Sequence, residues 1–197
     1  MYKIIYPTQD STIYERFPTK NTGTDQIIEL QSIKVGQPTT TNDYYSTTYN
    51  SRIVINFDIS ELSSSFAGKE FESYLILSAT EVNEVPINYT IYAYPLSGSW
   101  QNGTGFYNNN PDITNGVSWT NKTTSLSWTT SSYNANSTGS WASNPGGGNW
   151  YTTVSASQTF NYQSADMRMN VTPIIRQWLS GSLPNNGLIL KYSDFDE

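Results

Sequence analysis

The sequence predicts an all-β fold, a jelly-roll-like antiparallel β-sandwich with one short helix at about 173–180 and long Trp/Asn/Gly-rich loops. Three observations predict it. Segments that alternate apolar and polar residues recur between turn signals, which is the period of a pleated strand. Aromatic residues make up 14% of the 197 positions and charged residues only 13%, with Ser, Thr, Asn, Gln and Gly carrying the polarity. That balance suits strands and neutral loops, whereas helices draw on Ala, Leu, Glu and Lys. Cysteine and histidine are both absent, so no disulfide framework reinforces the fold. Stability must come from core size, and 15 Tyr, 7 Phe and 6 Trp supply ample area for it.

The strands follow in order. In Arg52-Ile53-Val54-Ile55-Asn56-Phe57-Asp58, residues Ile53, Ile55 and Phe57 fall on one face while Arg52, Asn56 and Asp58 fall on the other, a half-buried pattern. Tyr74 to Thr80 reads as a more deeply buried strand. Tyr89, Ile91 and Ala93 alternate with Thr90, Tyr92 and Tyr94 before Pro95 closes that strand. Met167, Met169 and Val171 alternate with Arg168 and Asn170. Leu188 to Tyr192 follows Pro184-Asn185-Asn186-Gly187, a strong turn signal. The expected core gathers Ile53, Ile55, Phe57, Ile91, Met169, Ile174, Trp178 and Leu190.

The helix has its own signature. Thr172 is placed to cap it and Pro173 to open it, where a missing N–H costs nothing. Ile174, Ile175, Trp178 and Leu179 form one apolar stripe, and Gly181 stops it. Such a stripe belongs to the core, plugging one end of the sandwich. The reading is one domain over 1–197, with a loop-rich elaboration at about 97–165 projecting from it. That stretch holds Trp100, Trp119, Trp128, Trp141 and Trp150 among Asn, Ser, Thr and Gly.

The chemistry is bounded mainly by exclusions. A net charge of −6 without basic clusters argues against nucleic-acid binding, and no apolar run suggests a membrane span. Without His or Cys, Ser–His and Cys–His pairs and Cys/His zinc sites are excluded. Glycoside hydrolysis needs two facing carboxyl groups, yet Asp112 is the only acid between 97 and 165. Asp58, Glu61, Glu70 and Glu72 lie at expected strand ends and turns, where acids act as caps. No enzymatic activity and no cofactor are therefore expected. Calcium held by loop carbonyls would draw on Asp10, Asp25, Asp58, Asp194 or Asp196, but no EF-hand-type loop is present. The five loop tryptophans are candidate interface or glycan contacts, since Trp stacks on sugar rings and is enriched between proteins. Anchoring of loops and protein contacts is the preferred reading. Sequons at Asn88, Asn102, Asn121, Asn136 and Asn170 are read as accidents of an Asn/Thr-rich chain.

In sequence order, Asp10-Ser11-Thr12-Ile13-Tyr14, Asn21-Thr22-Gly23, Ser51 to Ile59, Ser118-Trp119-Thr120-Asn121, Asn170 to Gly181 and Asn185 to Lys191 resemble the DNRLRE-type domains. These are β-sandwich modules of bacterial and archaeal surface proteins and of tailed-phage virions. The opening Met1 to Pro7 and the Trp/Gly/Asn-rich loops are similar to the version in structural proteins of large tailed phages. The resemblance implies a capsid, neck, tail or fibre component without enzymatic activity, made in the host cytoplasm and residing in the virion. Its partners would be other virion proteins or copies of itself. A carbohydrate-binding module of a surface or secreted protein is the alternative, and the lack of a signal-type N-terminus favours the virion. Two departures stand out. Asn170 replaces an Asp frequent in the family, which weakens a structural hydrogen bond. The chain also stops after Leu188–Tyr192, so that strand is expected to leave an open edge, completed past Glu197 or by a neighbouring subunit.

Overall fold

The computed structural model describes residues 2–38, 44–62, 66, 69–81, 88–128, 146–161 and 166–193. Eight strands appear among them: β1 (Pro7–Tyr14), β2 (Ser32–Pro38), β3 (Tyr44–Phe57), β4 (Tyr74–Leu77), β5 (Asn88–Pro95), β6 (Ala156–Asn161), β7 (Met167–Asn170) and β8 (Leu188–Tyr192). Helix α1 (Thr172–Leu179) joins β7 to the turn before β8. All pairings are antiparallel. The main sheet runs β1-β3-β8-β5-β6, with β2 paired to the first half of β3, and β4 and β7 make a separate pair. The fold is all-β and sandwich-like. Among the described residues its two sheets hold six strands and two.

Alternate residues of the central strands feed two cores. Ile53, Ile55, Leu188, Leu190, Ile91 and Phe160 face β4, β7 and α1, meeting Leu75, Met169, Ile174 and Trp178. Of the expected core, seven residues are buried together there, while Phe57 is only partly buried at its margin. The intervening residues Val54 and Ile189, with Ile13 of β1, pack instead against Leu96, Trp100, Val117, Trp119 and Trp128. The sheet is therefore buried on both sides. The expectation that Arg52 marks a solvent face is corrected: Arg52 and Val54 are both buried. The described part of the loop-rich stretch does not project. It lies down over the second face of the sheet as a coat.

Strand β8 corrects another expectation. It is central, not an open edge: Ile53↔Leu190 to Ile55↔Leu188 pair it with β3, and Ile91↔Tyr192 to Pro95↔Leu188 pair it with β5. After α1 the chain re-enters the middle of the sheet, so both rows of its backbone groups meet a neighbour. The entry depends on Gly187, whose φ of +90° suits glycine. A Cβ there would lie 2.4 Å from the carbonyl oxygen of Ile55. Asn185 braces the same turn, donating from Nδ2 to the Phe57 carbonyl at 2.8 Å.

The start of α1 also differs in detail. Thr172 is the first helical residue rather than the cap, and Val171 in the cap position makes no side-chain cap bond. The Thr172 hydroxyl instead accepts from the Ser73 N–H at 2.8 Å, tying the helix to the residue before β4. Asn170 Oδ1 accepts the Thr172 N–H at 3.0 Å, so an amide oxygen makes this turn. Among the described residues no helix is long and apolar enough to cross a membrane.

Candidate functional site

The coat over the second face is the most elaborate part of the molecule, and it is built around two polar side chains. Asn21, fully buried, is the first. Its Nδ2 donates to the carbonyls of Asn102 and Val117, both at 2.7 Å, and its Oδ1 accepts the Gly105 N–H at 2.7 Å. Its own N–H reaches the Ile113 carbonyl at 2.9 Å. One amide thus holds three points of the 102–117 loop against the turn after β1. A charge would fit poorly there, because an acid cannot donate to two carbonyls.

Arg52 is the second. Its guanidinium carbon lies 4.8 Å from the Trp119 ring centroid and 5.3 Å from that of Trp150, and Nη1 donates to the Gly147 carbonyl at 2.8 Å. Gly147 has φ of +76°, and a Cβ on it would strike Arg52 Nη1 at 2.4 Å. The row continues outward, since Tyr94 tilts against Trp150 at 5.9 Å and Tyr92 stacks on Tyr94 at 5.8 Å.

The candidate tryptophans take their places in this coat. Trp100, Trp119 and Trp128 are 6%, 7% and 3% exposed. Trp100 Nε1 donates to the Asn186 carbonyl and Trp128 Nε1 to the Ser118 carbonyl, both at 3.0 Å. As surface contacts for a sugar or a partner these three are corrected: their rings are buried in the interior. Trp150 is half-buried, with Tyr94 and Arg52 packed against its ring. Trp141 lies outside the described residues.

A second cationic cluster clamps the coat at its rim. Lys20 Nζ sits 4.9 Å and 4.8 Å from the Phe17 and Tyr107 ring centroids and 3.0 Å from Asp112 Oδ1. Nearby, Tyr14 donates to Glu29 Oε2 at 2.7 Å. Burial, then that bond and the Glu29 charge, push the Tyr14 phenol far above its ordinary range. Neither Arg52, Lys20 nor Asn21 stood out in the sequence as a fixing point. The available signal was an Arg and a Lys, each three positions after an aromatic residue, in a chain short of charge.

The carboxylates are dispersed. Asp58 Oδ1 accepts the Ser60 N–H at 2.9 Å, which holds its carboxyl below the usual range. Glu61 pairs with Lys3, and Glu70 pairs with Arg176 at 2.8 Å. Glu72 accepts from the Tyr74 hydroxyl at 2.9 Å. Asp25 accepts the Tyr107 N–H at 2.9 Å, and burial raises both it and Asp10. Among the described residues no three acidic side chains converge on one point. Asp194 and Asp196 lie outside those residues. On the opposite side of the molecule, an open groove runs between the residues before β4 and the start of α1, lined by Glu70, Phe71, Glu72, Asn170, Thr172, Pro173 and Arg176. No protein-family model, no curated protein and no solved structure matches this chain.

Proposed function

We propose that this chain is a non-enzymatic structural component of a tailed-phage virion, a capsid, neck, tail or fibre protein that works through contacts with other virion proteins or with copies of itself. The observation that carries the reading is the fate of the tryptophans. Three of the four described loop tryptophans are buried against the second sheet face, and Arg52 bridges two of the four. The aromatic richness thus stiffens a neutral coat without disulfides, which serves a protein that must hold shape under assembly. The resemblance of the ordered segments from Asp10 to Lys191 to DNRLRE-type domains supports the virion setting.

A carbohydrate-binding role is the weaker reading. Stacking on a sugar needs an aromatic face open to solvent, and the rings of the row from Trp119 to Tyr92 pack against one another or against Arg52. The decisive experiment is mass spectrometry and antibody labelling of purified particles from the phage that encodes the chain. Stoichiometric presence on the particle is expected. Absence from particles, together with saturable glycan binding by the isolated chain, would replace this reading with the alternative.

A further inference from the structure

The outer face of the β4–β7 pair differs from the rest of the described surface. Leu75 and Met169 point into the core, so Tyr74, Ile76 and Arg168 point away from it. Ile76 is 60% exposed and stands opposite Arg168. The Arg168 guanidinium carbon lies 3.6 Å from the centroid of the Tyr74 ring. Among the described residues no carboxylate pairs with it, unlike Arg176, which Glu70 neutralises. Directly beside this projection lies the groove at the start of α1, and there Glu72, among the described residues, has a phenol for a partner and no cation.

Tyr and Arg are enriched among the residues that carry binding energy between proteins, and the exposed Ile76 adds apolar area to cover. A guanidinium already held on a ring loses little freedom when it captures a carboxylate. The face offers a projecting cation and, next to it, a recess holding an acid that lacks one. A surface with both halves of a complementary pair side by side fits a copy of itself related by a two-fold axis, because each half is then satisfied twice. The chain carries a net charge of −6, so two copies repel in most orientations. This face offers both signs, and neither Arg168 nor Glu72 has an ion-pair partner among the described residues.

We propose that the β4–β7 face is a two-fold contact between copies of this chain, with Arg168 of each copy paired to Glu72 of the partner subunit and Ile76 packed into the groove beside it. The proposal rests on the reading of the chain as an assembly module that works through protein contacts. Sedimentation of the whole chain up to about 100 µM, well above a micromolar Kd, should show a concentration-dependent dimer. Arg168→Glu and Glu72→Arg should each weaken it about tenfold or more, and combining them should restore it, since the swapped charges again oppose. Ile76→Asp should weaken it too. Circular dichroism on each variant separates loss of the contact from loss of the fold. A monomer over the whole range, or a dimer indifferent to Arg168→Glu and Ile76→Asp, overturns the contact. Such a result for a chain still present on purified particles would remove this face while leaving the virion reading in place.

Discussion

Arg52 lies between Trp119 and Trp150, its guanidinium carbon 4.8 Å from one ring centroid and 5.3 Å from the other. The two rings come from different loop segments, and the arginine comes from the sheet beneath them. A single cation thus joins β3 to both parts of the coat while its Nη1 bonds the Gly147 carbonyl at 2.8 Å. Desolvated cation–π contacts are worth about 2 kcal/mol and a charged hydrogen bond about 1.5–3 kcal/mol. Arg52→Ala should therefore cost about 3 kcal/mol in denaturant unfolding, lowering Tm by roughly 6–12 °C for a chain of this size. Arg52→Lys should recover only part of that, because an ammonium cannot stack on two rings as a plane. A loss below about 1 kcal/mol for the alanine variant would show that the coat is held by its apolar contacts alone.

Asn21 makes the second test. Asp has nearly the same shape, but Asn21→Asp would aim a carboxylate oxygen at the Asn102 and Val117 carbonyls, now 2.7 Å from an amide nitrogen. Losing two buried donors and adding repulsion should cost about 3 kcal/mol or more. Hydrogen exchange should locate the damage. Amides of the 102–117 loop should exchange faster, while those of β3 and β8 keep their protection. Uniform loss across the sheet would contradict a local fastening role.

How much of this was legible follows from where the apolar signal was strong. Strands β5, β7 and β8 and the helix stand within a residue or two of the expected bounds, because apolar residues there recur at a clean period. Strands β1, β2 and β6 escaped notice. Their sequences, such as Asp10-Ser11-Thr12 and Ser157-Gln158-Thr159, are polar, and in β1 the buried Ser11 and Thr12 are satisfied by hydrogen bonds rather than by apolar packing. The two-sided burial of the sheet did leave a trace. Val54 interrupts the polar face of β3, and Ile189 makes Leu188-Ile189-Leu190 apolar throughout. The coat itself was illegible, because its path is set by single long-range bonds, from Asn21 and Arg52, that no local pattern encodes.

Two tryptophans with different surroundings give a matched comparison. Trp178, on α1, is buried in the core, and its Nε1 has no hydrogen-bond partner among the described residues. Trp128 Nε1, by contrast, donates to the Ser118 carbonyl at 3.0 Å. Trp178→Phe removes ring volume and an unmatched donor together, whereas Trp128→Phe removes volume and strands a buried acceptor. The first should cost at least about 1 kcal/mol less than the second. Trp178→Ala should cost about 3–5 kcal/mol, and Phe57→Ala less, since Phe57 is only partly buried. Equal losses for the two Phe variants in chemical unfolding would argue against this accounting.

Asp10 provides a test in pH. It pairs across β1 and β3 with Ile55, so its side chain shares the core-facing side of the sheet with an aliphatic neighbour. Burial raises its carboxyl above the usual aspartate range, and no compensating bond is found among the described residues. With the folded pKa above the unfolded one, the folded state binds more protons in the window between the two. Stability contributed by Asp10 is then present at acid pH and is lost as pH rises through that window. Asn keeps the shape without the charge, so Asp10→Asn should melt higher than the parent at pH 7. The gain should shrink through the carboxylate range and vanish near pH 3, where the aspartate is itself neutral. Asp25, raised for the same reason, titrates in both proteins and cancels in the difference. The measurement is the difference in unfolding free energy between variant and parent across this range. It should rise with pH and then level off above the folded pKa. A parent more stable than the variant at pH 7, by a margin that grows with pH, would mean that the carboxylate is held by a favourable partner and that burial is not what governs it.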